Sequence, residues 1–179
     1  KVDLVTVENP NKFLIEKGHE EIEYVAWDIE TNSLDAWSPT SKILELTMSF
    51  DGITGYYMSW EDVDPKILSD FLRNKKQILQ NGKFDAKFVI LNDVERDAIN
   101  IYHDTWNGSH VINEMQKSSL KSDVWLYTDM GGYDNELDRY KKRYPECKND
   151  YSKIPIEIRK PYAIKDSIAT FRNFQAHIE

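Results

Sequence analysis

The stretch Tyr24-Val25-Ala26-Trp27-Asp28-Ile29-Glu30 sets the architecture that we predict for this chain. It is rich in β-branched and aromatic residues, which are typical of a β-strand. Because successive side chains of a strand point to opposite faces, Asp28 and Glu30 are expected on the same face. Two carboxylates placed in this way can both reach a single bound cation.

A second acidic position comes soon after another apolar run. Asn81-Gly82-Lys83-Phe84-Asp85 follows Ile78-Leu79-Gln80. Asn81 suits the N-cap of a helix, and Asp85 then falls in about the first turn of that helix. We therefore expect Asp85 near the start of a helix that follows a short buried strand.

A third acidic position lies near the end of the chain. Pro161 suits the first position of a last helix. Tyr162 and Asp166, four residues apart, then share one face of that helix. The phenol and the carboxylate can act as a pair, although Tyr162 could also serve only in packing.

Four of these side chains are acids: Asp28, Glu30, Asp85 and Asp166. Hard cations such as Mg²⁺ and Mn²⁺ take oxygen ligands. Carboxylates brought close together repel one another unless a cation neutralises them. The alternative is four solvated surface carboxylates, but apolar residues flank each of them. The sequence therefore predicts a site for two divalent cations, Mg²⁺ or Mn²⁺.

The three segments resemble the three sequence motifs of the DEDD exonucleases. The matching residues are Asp28-Ile29-Glu30-Thr31-Asn32-Ser33-Leu34-Asp35, Asn81-Gly82-Lys83-Phe84-Asp85 and Tyr162-Ala163-Ile164-Lys165-Asp166. The tyrosine in the last motif is similar to that of the 3′→5′ proofreading domain of family-A DNA polymerases. The segment Gly131-Gly132-Tyr133-Asp134 also resembles phage-type members.

The resemblance implies a role for each acid in a two-metal hydrolysis of a DNA 3′ end. It implies that Asp28 contacts both cations, that Glu30 and Asp166 complete the first cation's ligands, and that Asp85 serves the second. Tyr162 would orient the attacking water, since a phenol is a poor base at neutral pH. The fold implied is the ribonuclease-H-like exonuclease fold, an α/β fold with a mixed central sheet flanked by helices.

The resemblance also implies three substrate contacts. Leu34 would wedge against the terminal base, and Thr31 and Asn81 would contact the bound strand. The alternative for Leu34 is an ordinary core leucine. For Asn81 it is an N-cap role alone, and the two roles of Asn81 can coexist.

Periodicity predicts strands first and helices later, which favours an α/β fold around a mixed sheet. The predicted strands are residues 24–29, 43–50, 55–60, 77–80 and 98–102. The predicted helices follow Asn9-Pro10, begin at Asp64-Pro65 and near Asp104, and cover residues 84–91, 120–127, 135–143 and 164–178. Residues 150–160 are predicted to form a loop.

Length and composition fit a single domain over residues 1–179, with residues 1–21 as a lead-in segment that packs on the sheet. The net charge of −8 alone argues against a nucleic-acid binder, which commonly presents a basic patch. Bound divalent cations reverse the local charge of an acidic site, so the composition is compatible with a metal-dependent nuclease.

Cys147 has no partner for an internal disulfide, and no apolar run approaches the roughly 18 residues that a membrane span needs. We expect an intracellular, cytoplasmic monomer with no membrane partner, in the host cytoplasm if the chain is phage-encoded. The first residue is Lys rather than Met, which suggests an excised piece. The resemblance implies that a polymerase domain follows Glu179 in the parent chain.

Several other residues are candidates for contact with nucleic acid. Trp125, Tyr127 and Tyr133 could stack on bases, with core packing the favoured role for Trp125. Basic clusters at residues 117–121, 141–143 and 159–160 could contact phosphate. His103 and His110 are expected to be structural, and Asp104 is expected to be an N-cap.

Two other functions remain open from the sequence. One is an RNase D-like exonuclease that trims RNA 3′ ends with the same acids. The other is a non-catalytic module that binds nucleic acid or braces a polymerase. Degenerate modules lose carboxylates, whereas all four acids and Tyr162 are present here.

Overall fold

The computed structural model describes residues 1–115 and 119–179. Within them, six strands form one sheet in the spatial order β1-β4-β3-β2-β5-β6. The strands are β1 (Asp3–Thr6), β2 (Tyr24–Thr31), β3 (Ile43–Ser49), β4 (Thr54–Ser59), β5 (Lys76–Leu79) and β6 (Ile101–Asp104).

The sheet is mixed. Strands β2, β3 and β4 form an antiparallel meander, while β5 runs parallel to β2, β6 parallel to β5, and β1 parallel to β4. The parallel strands β2, β5 and β6 therefore end at the same edge of the sheet. This arrangement confirms the predicted mixed α/β architecture.

Helices cover both faces of the sheet. They are α1 (Pro10–Gly18), α2 (Pro65–Leu72), α3 (Lys83–Leu91), α4 (Thr105–Ile112), α5 (Leu120–Tyr127), α6 (Asn135–Arg143) and α7 (Ile156–Ile178). Short 3₁₀ turns occupy Trp60–Asp62, Arg96–Ala98, Pro145–Cys147 and Tyr151–Lys153. Among the helices, α7 packs against β2, β3 and β4.

The alternation of side chains along β2 decides which face holds the acids. Val25, Trp27 and Ile29 pack into the core that includes α1 and α2. Ala26 points the other way and packs against Phe171 and Phe174 of α7. Asp28 and Glu30 share the face of Ala26, so they look toward α7.

Close contacts hold α7 against the sheet. A Cβ atom on Gly55 of β4 would lie 2.4 Å from Cγ2 of Ile164, so only glycine allows this approach. The Thr47 hydroxyl of β3 donates a hydrogen bond to the carbonyl oxygen of Ala163 at 3.0 Å. These contacts therefore hold the first half of α7 against the part of the sheet that carries Asp28 and Glu30.

The last helix begins earlier than predicted. Helix α7 starts at Ile156, so Pro161 lies inside it rather than at its first position, and residues 156–160 are helical rather than loop. Proline removes one backbone donor from the helix. Tertiary contacts compensate, because the Arg159 guanidinium donates to the carbonyl oxygens of Tyr151 and Ile154 at 2.8 and 3.1 Å.

The lead-in segment also differs from the prediction. Asp3–Thr6 does not simply pack on the sheet but forms its edge strand, in register with residues 54–57 of β4. The open edge of β4 offers unpaired backbone groups, and β1 satisfies them. The helix predicted after Asn9-Pro10 is present as α1, and Asn9 caps it, since its side chain accepts from the backbone amide of Lys12. In the described part of the chain, no helix has the length and apolar character needed to cross a bilayer.

Candidate active site

A cavity of about 230 Å³ opens between β2, the start of α3 and the first half of α7. All eight residues predicted to form the site line it: Asp28, Glu30, Thr31, Leu34, Asn81, Asp85, Tyr162 and Asp166. The sheet brings them together because β2 and β5 run parallel, so the residues that follow each strand meet at one edge.

Three of the four acids converge on a point. Carboxylate oxygens of Asp28, Glu30 and Asp166 all lie within 4.8 Å of one another. The side chains of Glu30 and Asp166 are buried, at 8% and 5% exposure. This geometry matches the prediction that Asp28 and Glu30 share one face of a strand.

The fourth acid stands slightly apart. Asp85 lies in the first turn of α3, as predicted, and is buried at 3% exposure. Its Oδ1 accepts a hydrogen bond from the backbone amide of Ile29 at 3.3 Å. That bond ties Asp85 to β2 between the two acids of the strand.

Burial and mutual repulsion disfavour negative charge in the site. Burial, followed by the charges of Asp85 and Glu30, raises the pKa of Asp28 well above its ordinary value. Burial, followed by Asp166, does the same to the pKa of Glu30. Burial raises the pKa of Asp85 to about 8. Burial raises the pKa of Asp166 to about 6, although hydrogen bonds from Tyr133 and Tyr162 act to lower it.

The donor set fits a divalent cation. Among the described residues, no lysine or arginine forms an ion pair with Asp28, Glu30, Asp85 or Asp166. Carboxylate oxygens are the ligands that hard cations prefer. Lys141 and Lys121 influence the pKa of Glu30 and of Asp166 only from a distance, so these buried acids are suited to neutralisation by a bound metal.

Tyrosines flank the acids on the α7 side. Burial, followed by the charge of Asp166, raises the pKa of Tyr162 well above its ordinary value, so the phenol stays protonated. The Tyr162 ring stacks on that of Tyr133 at 6.0 Å and lies 6.2 Å from that of Tyr151. The Tyr133 hydroxyl donates a hydrogen bond to Oδ1 of Asp166.

The sequence did not predict most of the residues that surround the acids on the α7 side. It proposed Tyr133 only for base stacking, and it did not consider Tyr151, Lys148 or Asn149, which line the cavity. Lys141 donates a hydrogen bond to the Tyr151 hydroxyl. The glycine pair before Tyr133 is the one signal in the sequence that marks part of this region.

The predicted substrate contacts have distinct environments. Leu34 is 62% exposed at the cavity, which excludes the alternative of a core leucine. Thr31 is buried, and its hydroxyl donates to the carbonyl oxygen of Ser33 at 2.6 Å.

The N-cap role predicted for Asn81 is wrong. Gly82 occupies that position, and Asn81 has a positive φ of 56°. Asparagine tolerates this left-handed conformation better than most residues. The backbone N–H of Asn81 donates to Oδ1 of Asp104 at 3.1 Å, and Asp104 also caps α4, as predicted.

The other candidates lie away from the acids or have different roles. Trp125 is 68% exposed and is therefore not a core residue, contrary to the prediction. Tyr127 packs edge-on against His177, and His103 lies 3.0 Å from His177 between ring nitrogens. These contacts support the structural role expected for His103.

Two of the three basic clusters contribute a residue to ion pairs, and one of these two lies partly beyond the described residues. Lys117 of the cluster at residues 117–121 is outside the described part, and Lys121 pairs with Asp134 and Asp138. Arg159 pairs with the buried Glu45 at 2.6 Å. Arg159 is therefore committed to the fold rather than to phosphate.

Comparison with known proteins agrees with the motifs. A family model described as 3′-5′ exonuclease, of the DNA polymerase A type, matches residues 6–176. A DNA polymerase of Escherichia phage T5 is 33% identical over 164 residues, which is 83% of this chain and 19% of that polymerase. The chain thus spans about a fifth of that relative's length.

Solved structures share the fold. NrnC of Brucella melitensis, bound to pGG, has a TM-score of 0.69 and 15% identity. The match covers 99% of this chain and 79% of the NrnC chain. RNase D of Trypanosoma brucei, in complex with RNA U12, has a TM-score of 0.69 and 13% identity. The match covers 99% of this chain and 63% of the RNase D chain. These likenesses confirm the ribonuclease-H-like exonuclease fold. Together with the family model, they lead to one assignment: the chain belongs to the 3′-5′ exonuclease family of DNA polymerase A type.

Proposed function

We propose that this chain removes nucleotides from DNA 3′ ends in a metal-dependent reaction and serves as the proofreading part of a family-A DNA polymerase. One observation carries the proposal. Asp28, Glu30 and Asp166, from two separate elements, place carboxylate oxygens within 4.8 Å of one another in an open cavity. A buried acid cluster with no direct ion pair among the described residues is unfavourable unless a ligand uses it.

The residues of the site divide into cation ligands and groups that hold the substrate. Two divalent cations, Mg²⁺ or Mn²⁺, would supply an activated water and positive charge against the scissile phosphate. Asp28, Glu30 and Asp166 would hold one of them, and Asp28 and Asp85 the other. Asp28 is suited to the shared position because it repels both Asp85 and Glu30.

Tyr162 would orient the attacking water rather than deprotonate it. Its pKa lies well above the ordinary value, so it is a hydrogen-bond donor or acceptor and not a base at neutral pH. Hydrolysis forms a bond between the water oxygen and phosphorus and breaks the bond from phosphorus to the 3′ oxygen. The products are a 5′-nucleotide and a shortened strand with a free 3′ hydroxyl.

The cavity wall offers places for the end of the strand. Leu34 is exposed beside Phe84 in the cavity and would contact the terminal base. Thr31 and Asn81 would contact the sugar or backbone of the last nucleotides. The partners proposed are therefore a single-stranded DNA 3′ end and, in the parent chain, a polymerase domain; a cytoplasmic monomer remains our expectation.

A second candidate is an RNase D-like exonuclease that trims RNA. The similarity in fold to RNase D in complex with RNA U12 favours it, since the acids would serve either backbone. DNA is preferred here because the relative from phage T5 is a DNA polymerase and is 33% identical, against 13% for RNase D. A non-catalytic role is disfavoured, since all four acids and Tyr162 line one cavity.

The test is digestion of a 5′-labelled single-stranded DNA oligonucleotide, with its RNA counterpart beside it. Mg²⁺, Mn²⁺ and EDTA are compared for the unaltered protein, for Asp28→Ala and for Asp70→Ala. Asp70 is an exposed acid of α2 and serves as the matched control.

A metal-dependent ladder that shortens from the 3′ end, survives in Asp70→Ala and disappears in Asp28→Ala is expected. Faster digestion of RNA than of DNA would support the RNase D-like function instead. Failure to cleave either strand in any metal would contradict the exonuclease proposal for the isolated chain.

A further inference from the structure

Tyr133 contacts the acid cluster although it belongs to none of the three motifs. Its hydroxyl donates a hydrogen bond to Oδ1 of Asp166. Its ring lies nearly parallel to that of Tyr162, with centroids 6.0 Å apart and an interplanar angle of 12°. Asp166 is thus approached by a phenol from outside helix α7, in addition to Tyr162 one turn earlier on α7 itself.

The backbone before Tyr133 is shaped to deliver this phenol. A Cβ atom on Gly131 would lie 2.3 Å from Cε3 of Trp125, so any other residue here would force the indole to move. Gly132 has a φ of 80°, in the left-handed region that glycine adopts at no steric cost. Two successive glycines therefore turn the chain sharply just before Tyr133.

The residue after Tyr133 is also anchored. The Asp134 carboxylate, whose side chain is 8% exposed, forms an ion pair with Lys121 at 2.7 Å. Lys121 belongs to α5, and its ammonium also pairs with Asp138 of α6 at 2.7 Å. The phenol is consequently held between a glycine turn on one side and a two-helix ion pair on the other.

Resting on the proposed function, we infer that Tyr133 is a positioning residue for Asp166. Its hydrogen bond holds Oδ1 and restrains the rotation of a carboxyl group that has an oxygen within 4.8 Å of those of Asp28 and Glu30. Partners that orient a metal ligand commonly contribute about 10–100-fold in metal affinity or activity. Both phenols therefore act on Asp166, and Tyr162 would in addition orient the attacking water.

The experiment measures Mn²⁺ binding directly, by electron paramagnetic resonance of the free ion, without DNA. It compares the unaltered protein with Tyr133→Phe, which removes only the hydroxyl. Tyr56→Phe is the matched control, because its ring packs on Phe13 and Phe50 away from the acids. Asp166→Asn reports the loss of the ligand itself.

We expect the Mn²⁺ dissociation constant to rise about tenfold or more in Tyr133→Phe and to stay unchanged in Tyr56→Phe. The Mn²⁺ concentration that gives half-maximal cleavage should rise by the same factor. The KM for DNA and the urea midpoint of unfolding should change little, which separates positioning from a general structural role.

Two results would overturn the inference, and they are distinguishable. Unchanged Mn²⁺ binding in Tyr133→Phe, in a protein that binds Mn²⁺ and cleaves DNA, would remove the role of Tyr133 and leave the proposed function intact. An unaltered protein that binds Mn²⁺ no better than Asp166→Asn and cleaves nothing would remove both.

Discussion

Glu30 and Glu45 occupy directly opposite positions on neighbouring strands, yet their surroundings differ completely. They are paired in the register of β2 and β3, and both are buried, at 8% and 0% exposure. Glu45 accepts a hydrogen bond from Arg159 at 2.6 Å and another from Tyr57 at 3.4 Å. Glu30 instead faces Asp28 and Asp166, and no ion pair involves it in the described part of the chain.

The difference shows how one sheet face separates structure from function. Burial raises the pKa of Glu45, and Arg159 opposes that effect, so the charge is balanced within the protein. Burial and Asp166 both raise the pKa of Glu30, and only Lys141 among the leading influences opposes them. A buried acid with a protein partner supports the fold, whereas a buried acid without one is available to a cation.

The largest effect should come from removing Asp28, the acid proposed to bind both cations, from the cluster around Glu30. Asp28→Asn keeps the side-chain shape but removes the charge. We expect cleavage to fall by about a thousandfold or more, because a bound metal contributes several kcal/mol to transition-state stabilisation. The measurement is single-turnover digestion of labelled DNA in saturating Mn²⁺. Activity within about tenfold of the unaltered protein would show that Asp28 is not a shared ligand.

The next largest effect should come from breaking the ion pair between Arg159 and Glu45. Arg159→Met leaves Glu45 buried without a counter-charge, which commonly costs about 3–5 kcal/mol of unfolding free energy. Urea unfolding in EDTA measures this change.

The double variant Glu45→Gln with Arg159→Met serves as the control and should recover much of that loss. Equal destabilisation of the single and the double variant would mean that Arg159 acts through its contacts with the Tyr151 and Ile154 carbonyls instead.

Two tyrosines provide a matched test at smaller scale. Tyr57→Phe removes a hydroxyl beside Glu45, and Tyr162→Phe removes one beside Asp166. We expect Tyr162→Phe to slow cleavage by about tenfold or more without abolishing it, since the cations and not the phenol activate the water.

Tyr57→Phe should leave cleavage unchanged and lower stability by about 1 kcal/mol, the net contribution of an ordinary hydrogen bond. Cleavage rates and urea midpoints of both variants check these expectations. A loss of activity in Tyr57→Phe equal to that in Tyr162→Phe would contradict the separation of Glu45, as a structural acid, from the acids of the proposed site.

The last prediction concerns pH. In the metal-free folded protein the pKa of Asp85 is about 8 and that of Asp166 about 6, above the value near 3.8 of the free side chain. The folded state therefore holds protons that the unfolded chain releases. The stability from these groups is fully present below about pH 4 and is lost as pH rises, by about pH 6 for Asp166 and by about pH 8 for Asp85.

In EDTA we expect Tm to fall by at least about 3 °C between about pH 5.5 and about pH 8.5. Mn²⁺ should raise Tm more at the higher pH, because cations compete with protons for the same carboxylates. Asp85→Asn is the control and should flatten the dependence in EDTA. A Tm that rises with pH in EDTA would contradict the unpaired state of the acids.

Local sequence was sufficient to predict most elements and to select eight residues that the structure brings to one cavity. Strand alternation predicted that Asp28 and Glu30 share a face, and spacing predicted the same for Tyr162 and Asp166. The strands of the meander and most helices lie within a few residues of their predicted bounds. The eight predicted site residues line one cavity, because parallel strands end at a common edge.

Other features could not be predicted because their causes are distant in the chain. The start of α7 at Ile156 depends on Arg159 reaching Tyr151, Ile154 and the buried Glu45, contacts that outweigh the missing amide of Pro161. The positive φ of Asn81 depends on Asp104, which lies on the neighbouring strand.

The sequence by itself determined which acidic residues are candidates for binding cations, since residue type and short-range spacing specify the carboxylates and the faces they occupy. Only the tertiary structure decided which buried acids have a partner. Glu30 and Glu45 look alike in sequence, and their difference arises because α7 places Arg159 on one and Asp166 near the other. Electrostatic balance depends on distance in space, which local sequence does not contain.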